Sequence, residues 1–334
     1  MGRRSPSYPQ VGVLNVSGGT VTMTNAGASI TMGGYLNNAM GLLNIAQGGI
    51  VNLGTNGIYI NEAYYPAYSQ ADIITVASGG ILKYGGFTRS TAQALMNLNG
   101  GTLQATTNST TFLSGLSSMN LGPNANTINN GGFNITIDQD LSGSNGTGIG
   151  SISIVNGGSG YIGAPAVQLS GGGGTGATAI AQIDTNPVSA TYGKVTNIQV
   201  TAPGTGYTSA PTITLYGGGY LTEASGLTAI TTNFTSGGLI YAGAGTTTLT
   251  GSNTYTGGTM IQTNSSVLVT TSPSPFGTGS LTDNGQLIFS NNLTFTVGGL
   301  AGSGSLTQAG TGTLILGGSN SYNGTTLKIG RAHV

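Results

Sequence analysis

An apolar–polar–apolar run, a pair of glycines and one more apolar residue recur through the N-terminal third of this chain. The phrase reads Leu14-Asn15-Val16-Ser17-Gly18-Gly19-Thr20-Val21, then Leu43-Asn44-Ile45-Ala46-Gln47-Gly48-Gly49-Ile50-Val51. It returns as Ile74-Thr75-Val76-Ala77-Ser78-Gly79-Gly80-Ile81-Leu82 and as Met96-Asn97-Leu98-Asn99-Gly100-Gly101-Thr102-Leu103, with a looser copy around Gly131-Gly132. Alternation of period two marks a half-buried strand. The glycine pair supplies a positive φ or a close backbone approach, as a tight corner requires. Each copy therefore reads as two short strands joined by a corner. One such unit cannot bury its own apolar face, whereas stacked units can, and the expected architecture is an all-β parallel solenoid. At roughly 22 residues per coil and ~4.8 Å per step, about 15 coils are expected. The polar residues between the apolar ones, Asn15, Asn44 and Asn97, are expected to face outward.

The middle of the chain repeats differently. Gly158-Ser159-Gly160-Tyr161-Ile162-Gly163-Ala164-Pro165 returns as Gly204-Thr205-Gly206-Tyr207-Thr208-Ser209-Ala210-Pro211, and both copies lead into a glycine run. Two strand-like runs, Thr178 to Ile183 and Val195 to Val200, lie between them. Residues 150–220 are expected to form a small β module, inserted in the solenoid or capping it.

The C-terminal third carries the strongest repeat. The segment from Ala242 to Thr259 returns as Ala309 to Thr326, with 11 identities. The offset of 67 is read as three coils of roughly 22 residues. Thr313-Leu314-Ile315-Leu316 followed by Asn320, Tyr322, Gly324 and Thr326 resembles the autotransporter-associated β-strand repeat of bacterial passenger domains. Leu249, Gly251, Asn253, Tyr255, Gly257 and Thr259 match in the other copy. The resemblance covers residues 235–327 by extension. It implies a right-handed parallel β-helix (β-solenoid) at the cell surface or outside the cell, displayed from the outer membrane of a Gram-negative-type bacterium. Any membrane contact would come through a C-terminal barrel, which these residues do not include. The expected organisation is solenoid coils over 1–149, the module over 150–220 and autotransporter-type repeats over 221–327. Ile329-Gly330-Arg331-Ala332-His333-Val334 reads as a translated sequencing adapter. Residues 328–334 are therefore expected to be an artefact, and the chain a fragment.

Composition narrows the chemistry. Only 7 residues are basic and 7 acidic, against 62 glycines, and there is one His and no Cys. A nucleic-acid binder needs clustered Lys and Arg, so nucleic acid is not an expected partner. No disulfide or thiolate metal site can form. No apolar run reaches the ~18 residues of a membrane-spanning helix, and no signal peptide is visible behind Met1. The regular apolar pattern and the long repeats argue against a disordered linker.

Many β-helix proteins act on polysaccharides, which makes the carboxylates the first candidates for chemistry. Asp138 and Asp140 form the one close pair, and strand alternation predicts both on the outer face about 7 Å apart. They lack a cationic or third acidic partner within a coil in sequence, and read as two solvated carboxylates. No catalytic, cofactor-binding or metal-binding residue is assigned, and no cofactor is expected. Tyr59, Tyr64, Tyr65 and Tyr68, with Glu62 and Asp72, fall in a longer non-repeating stretch followed by Lys83, Tyr84 and Arg89. Those tyrosines read either as a local lid over the coil or as a loop that binds sugars or a protein partner. The leading expectation is a structural and adhesive passenger segment without catalysis, with surface glycans or other proteins as partners. The alternative is a carbohydrate-active β-helix enzyme or a tailspike-like glycan binder.

Overall fold

A computed structural model describes residues 10–23, 25, 27, 29–32, 39–60, 72–89 and 94–328. The adapter-like tail from residue 329 lies outside them. All regular elements among the described residues are strands. The chain divides into two compact units, Met1–Gly143 with Ser236–Val334, and Ser144–Thr235.

The first unit is a parallel β-solenoid whose coils turn through three faces. The first face stacks Gln10–Ser17, Ala39–Ala46, Asp72–Ala77, Ala94–Asn99, Ser118–Leu121 and Leu141–Gly143. The second stacks ten strands, from Thr20–Thr22 to Ser321–Tyr322. The third begins with Ile30–Met32, Ile58–Ile60 and Phe87–Arg89, and continues in seven strands from Ser109–Leu113 to Thr325–Lys328. The recurring phrase thus supplies two strands of each coil, and a third strand lies in the stretch between copies. Ten strands on the second face mean ten coils among the described residues rather than about 15. Early coils are long, with Thr20 opposite Ile50 and Ile50 opposite Ile81, and the module takes a further part of the chain.

The lumen is built by identical positions stacking on themselves. Val51, Leu82, Leu103, Ile128, Tyr241 and Ile261 follow one another in register on the second face, all fully buried. Burying a side chain of this size stabilises by ~1.5–3 kcal/mol. The next residue in that column is Asp283, also fully buried.

The glycine pairs do both things expected of them. Gly48, Gly79 and Gly100 have φ of 81°, 75° and 82°. At Gly49, Gly80 and Gly101, a Cβ would run into the carbonyls of Val16, Ile45 and Val76 on the coil before. The looser copy is a different corner: Gly131-Gly132 joins Asn126–Asn129 to Ile135–Ile137, second face to third.

Of the three polar residues expected to face outward, Asn44 and Asn97 are buried and Asn15 is half-buried. Asn44, Thr75, Asn97 and Asn120 stand in register on the first face at 0%, 0%, 2% and 9% exposure. They form a hydrogen-bonded ladder: Asn44 Nδ2 donates to Asn15 Oδ1 (2.9 Å), Asn97 Nδ2 to Thr75 Oγ1 (3.3 Å) and Asn120 Nδ2 to Asn97 Oδ1 (3.3 Å). Polar side chains at one register position satisfy each other along most of the stack; the ladder breaks between Asn44 and Thr75, where the buried Asn44 Oδ1 has no hydrogen-bond partner.

The C-terminal repeat spans three coils plus one face, not three coils. Thr246–Leu249 lies on the third face, which returns at Ser266, Gln286 and Ser305. Its sequence equivalent, Thr313–Leu316, pairs with Thr294–Val297 at the first-face position. Successive coils here step from Ile240 to Met260, from Met260 to Thr282 and from Thr282 to Ala301. Three such steps fall short of the offset of 67.

The second unit interrupts one coil. Thr127 pairs with Ile240, a register step of 240 − 127 = 113. The unit Ser144–Thr235 accounts for 235 − 143 = 92 of that step, and 113 − 92 leaves 21. That is an ordinary coil, so the stacking of the host is unbroken.

Within the second unit the two Gly-Tyr-Ala-Pro copies are related by rotation. Ala166–Ser170 pairs antiparallel with its own equivalent Thr212–Tyr216. Gly146–Ser153 pairs with Thr228–Phe234, and Thr178–Ile183 with Val195–Ala202. The first strand of each copy thus pairs with the last strand of the other. The core holds Ile149, Val167, Ala179, Ile198, Leu215 and the two repeat tyrosines. Tyr161 OH accepts the Ala224 N–H (2.9 Å), and the Tyr207 hydroxyl bonds the Ala177 backbone in the same way.

Candidate functional site

The tyrosine-rich stretch divides. Tyr59 lies on Ile58–Ile60 between Thr31 and Thr88 of adjacent coils, 40% exposed. Tyr64, Tyr65 and Tyr68, with Glu62, lie outside the described residues. Asp72 is buried and accepts the Gly41 N–H at 2.6 Å; burial pushes its carboxyl up to about 6, opposed by that hydrogen bond. Tyr84 belongs to the core. It stacks on Phe112 with centroids 4.6 Å apart and meets Phe87 edge-on at 5.1 Å.

Asp138 and Asp140 are exposed, but both are engaged. Asp138 Oδ1 accepts from Thr250 Oγ1 (2.7 Å), and Asp140 Oδ1 from the Ser252 N–H (2.5 Å). Both partners are 112 residues on, because the next coil of the stack lies beyond the module. The strand ends at Ile137, and between the two acids Gln139 is buried, its Oε1 accepting the Leu116 N–H at 2.8 Å. The pair therefore fastens one coil to the next. Among the described residues, no group of three or more His, Cys, Asp or Glu is placed to hold a metal ion.

The C-terminal coils are tied together by an asparagine from each repeat copy, with a tyrosine nearby. Asn253 Oδ1 accepts the Leu141 N–H (3.0 Å), and Asn320 Oδ1 the Leu300 N–H (2.8 Å). In both cases an Asn side chain receives an amide of the preceding coil. Tyr255 OH closes the turn that follows by pairing with Thr259 Oγ1 (2.6 Å), whereas Tyr322 OH reaches back to the preceding coil and donates to Gly304 O (2.8 Å). Residues 239–263 and 306–328 match the passenger-associated-transport-repeat family. Both segments are similar to that repeat. Such repeats are found in autotransporter passenger domains. No curated protein and no solved structure matches the chain. Each transport repeat makes a little more than one turn. The first runs from second face to second face, the second from third face to third face. The same Asn tie therefore works on two different faces.

The inserted unit contains a surface feature that sequence reasoning missed. Ile162 and Leu221 are 88% and 86% exposed. The pairing of Ser159 with Thr222 sets Ile162 opposite Gly219 and Leu221 opposite Gly160, and each side chain lies over the facing glycine. At the other end of the two-fold, Thr175 pairs with Thr205, and Thr208 and Gly174 stand where Ile162 and Leu221 do. Tyr220 adds a ring 5.4 Å from Tyr161. One pole of a duplicated unit is thus apolar and exposed while its twin is polar. The signal is present in the sequence, at the few positions where the two copies differ in polarity.

Proposed function

We propose that this chain is a scaffold segment of a surface-displayed or secreted autotransporter-like passenger, in which transport repeats form a rod and residues 144–235 are the part presented for contact. The observation that carries this reading is the coil of ordinary length that remains when the second unit is subtracted from the step between Thr127 and Ile240. A unit that enters and leaves a coil without altering its length is an addition to the scaffold, not a part of it. Display from the outer membrane of a Gram-negative-type bacterium is the localisation in keeping with the transport repeats.

The role is adhesive rather than catalytic, with glycans or proteins of neighbouring surfaces as partners. Support comes from the carboxylates: Asp138 and Asp140 are held by the next coil, and Asp72 by Gly41. Hydrogen-bonded acids without partners that tune them are poorly placed for acid–base work. The near-absence of charge weighs against nucleic acid.

The test compares the full chain with one in which 144–235 is replaced by a short glycine–serine link. Binding to bacterial or host cell surfaces should vanish in the deletion, while circular dichroism keeps its β signal. Retained binding would move the contact surface to the rod. Release of reducing sugar from a polysaccharide panel by the full chain would reinstate the carbohydrate-active reading.

A further inference from the structure

The coils carrying residues 259–277 and 281–297 are zipped on two faces and parted on the third. Thr259–Ile261 pairs with Leu281–Asp283, and Ser266–Val269 with Gln286–Phe289. At the first-face position no pairing joins 273–277 to Thr294–Val297 among the described residues. The reason is in the sequence. Pro273 and Pro275 have no N–H to give to a ladder. The segment is instead tied back to the preceding coil, where Asn253 N donates to Ser274 O (2.8 Å) and Asn253 Nδ2 to Pro275 O (2.6 Å).

The parting leaves a cavity of about 110 Å³ with two chemically distinct sides. One is aromatic. Phe276 and Phe289 meet at 88° with centroids 6.3 Å apart, and Phe289 and Phe295 at 42° and 5.3 Å. The other is a strand edge. Thr313 N donates to Leu293 O and Gly317 N to Val297 O, so the odd-numbered residues of that strand face the later coil. By the two-residue period, the main-chain N–H and C=O of Thr294 and Thr296 face the cavity, without a strand partner. No ionisable residue lines the space.

We propose that this cavity binds an aromatic ring carrying a hydrogen-bonding group, a phenol or an indole. The ring packs on the phenylalanines, and its O–H or N–H meets the free carbonyl of Thr294 or Thr296. An apolar cavity of ~150 Å³ holds benzene; this one, at about 110 Å³, is smaller and partly open, so a ring enters it with one edge outside. A charged ligand would find no counter-ion. The ring comes either from a free small molecule or from a tyrosine of a peptide laid along the strand edge. The inference stands independently of the adhesive reading.

Indole reports directly, because the chain contains no Trp. Titration of the full chain into indole should give a saturable blue shift of emission with Kd on the order of 0.1–1 mM. Phenol should displace the indole at least threefold more effectively than toluene. Gly298→Leu should weaken binding at least tenfold with an unchanged β dichroism signal. Gly298 borders the cavity, nothing lies within 4 Å of where its Cβ would stand, and its φ is not left-handed. An unsaturable signal, equal binding by the variant, or toluene matching phenol would overturn the proposal. If the variant loses its β signal, the phenol–toluene competition on the unaltered chain decides alone. A neutral tyrosine peptide that competes better than phenol assigns the ring to a peptide; one that competes worse assigns it to a free compound.

Discussion

The two units of this protein both come from duplicated sequence, yet they use duplication in opposite ways. In the solenoid a copy is laid on its neighbour by translation, so Val51, Leu82, Leu103 and Ile128 pack on their own counterparts. In the inserted unit the copies are rotated, so Ala166–Ser170 runs antiparallel to its own equivalent and the outer strands are exchanged. Translation has no closing operation, and the end coil always offers an unpaired edge. A two-fold closes at two copies. The difference teaches that glycine–tyrosine repeats do not specify a symmetry by themselves. What decides is the pairing: parallel strands at one coil's spacing in the rod, antiparallel strands in the inserted unit.

The comparison can be broken most forcefully at the glycines. Gly101→Ala should cost about 3–5 kcal/mol, because its Cβ would meet Val76 O and Val76 Cγ1 on the preceding coil. In the two-fold unit, Gly158→Ala and Gly204→Ala should cost equal amounts within about 0.5 kcal/mol, since each Cβ meets the matching carbonyl, Thr222 O or Thr175 O. Chemical denaturation of the three variants measures this, and unequal costs for the last two would refute the rotational relation.

Next come the tyrosines. Tyr161→Phe and Tyr207→Phe each leave a backbone N–H unsatisfied and should each destabilise by ~1–3 kcal/mol. In the solenoid the equivalent pair should be unequal, with Tyr255→Phe costing more than Tyr322→Phe. Tyr255 is fully buried against Thr259, while Tyr322 is only partly covered.

Above pH 4 the pH dependence comes from two buried carboxyls of the rod. Burial raises both Asp72 and Asp283 from 3.8 to about 6, against weaker backbone hydrogen bonds from Gly41 and Gly285. The folded state therefore holds these protons more tightly than the unfolded chain. Their stabilisation is complete below pH 4 and is lost as pH rises through 6. Asp283→Asn should reduce that slope and stabilise the rod at pH 7 by about 1–2 kcal/mol, as read from thermal unfolding between pH 4 and 8. A slope unchanged by the substitution would remove Asp283 as its source.

The smallest effect is expected at the apolar pole. Ile162→Thr and Leu221→Ser should change stability by no more than about 0.5 kcal/mol each, because both side chains stand in water. If the same variants abolish cell-surface binding, the pole is the contact surface; a large stability loss would instead make it structural.

Much of the fold could be read from residues alone, wherever a local rule had one outcome. Period two with a glycine pair gave strands and corners, and the Asn320–Tyr322–Gly324 signature gave the repeat. What escaped depended on the third dimension. Alternation assigned Asn44 and Asn97 to the outer side of their strand, but it could not foresee a ladder that lets them be buried. The offset between the C-terminal copies gave a periodicity without a starting face. Asp138 and Asp140 lacked partners within a coil's length of sequence because their partners, Thr250 and Ser252, arrive only after the inserted unit. The cavity beside Phe276 was written in two prolines, but its meaning needed the neighbouring strand.

The same insertion sets the tempo of folding. Most coils find the next one after a single short step of chain, as from Ile240 to Met260. The edge made by Asn126–Asn129 and Ile135–Ile137 must wait far longer for its partners beyond the inserted unit. Thr250, whose backbone N–H donates to Ile137 O, lies 113 residues on. In that interval the rod has a sticky growing tip, open to any strand that arrives first. The inserted unit has time to close on itself before its host does, because its longest pairing, Gly146 with Phe234, lies inside the interval.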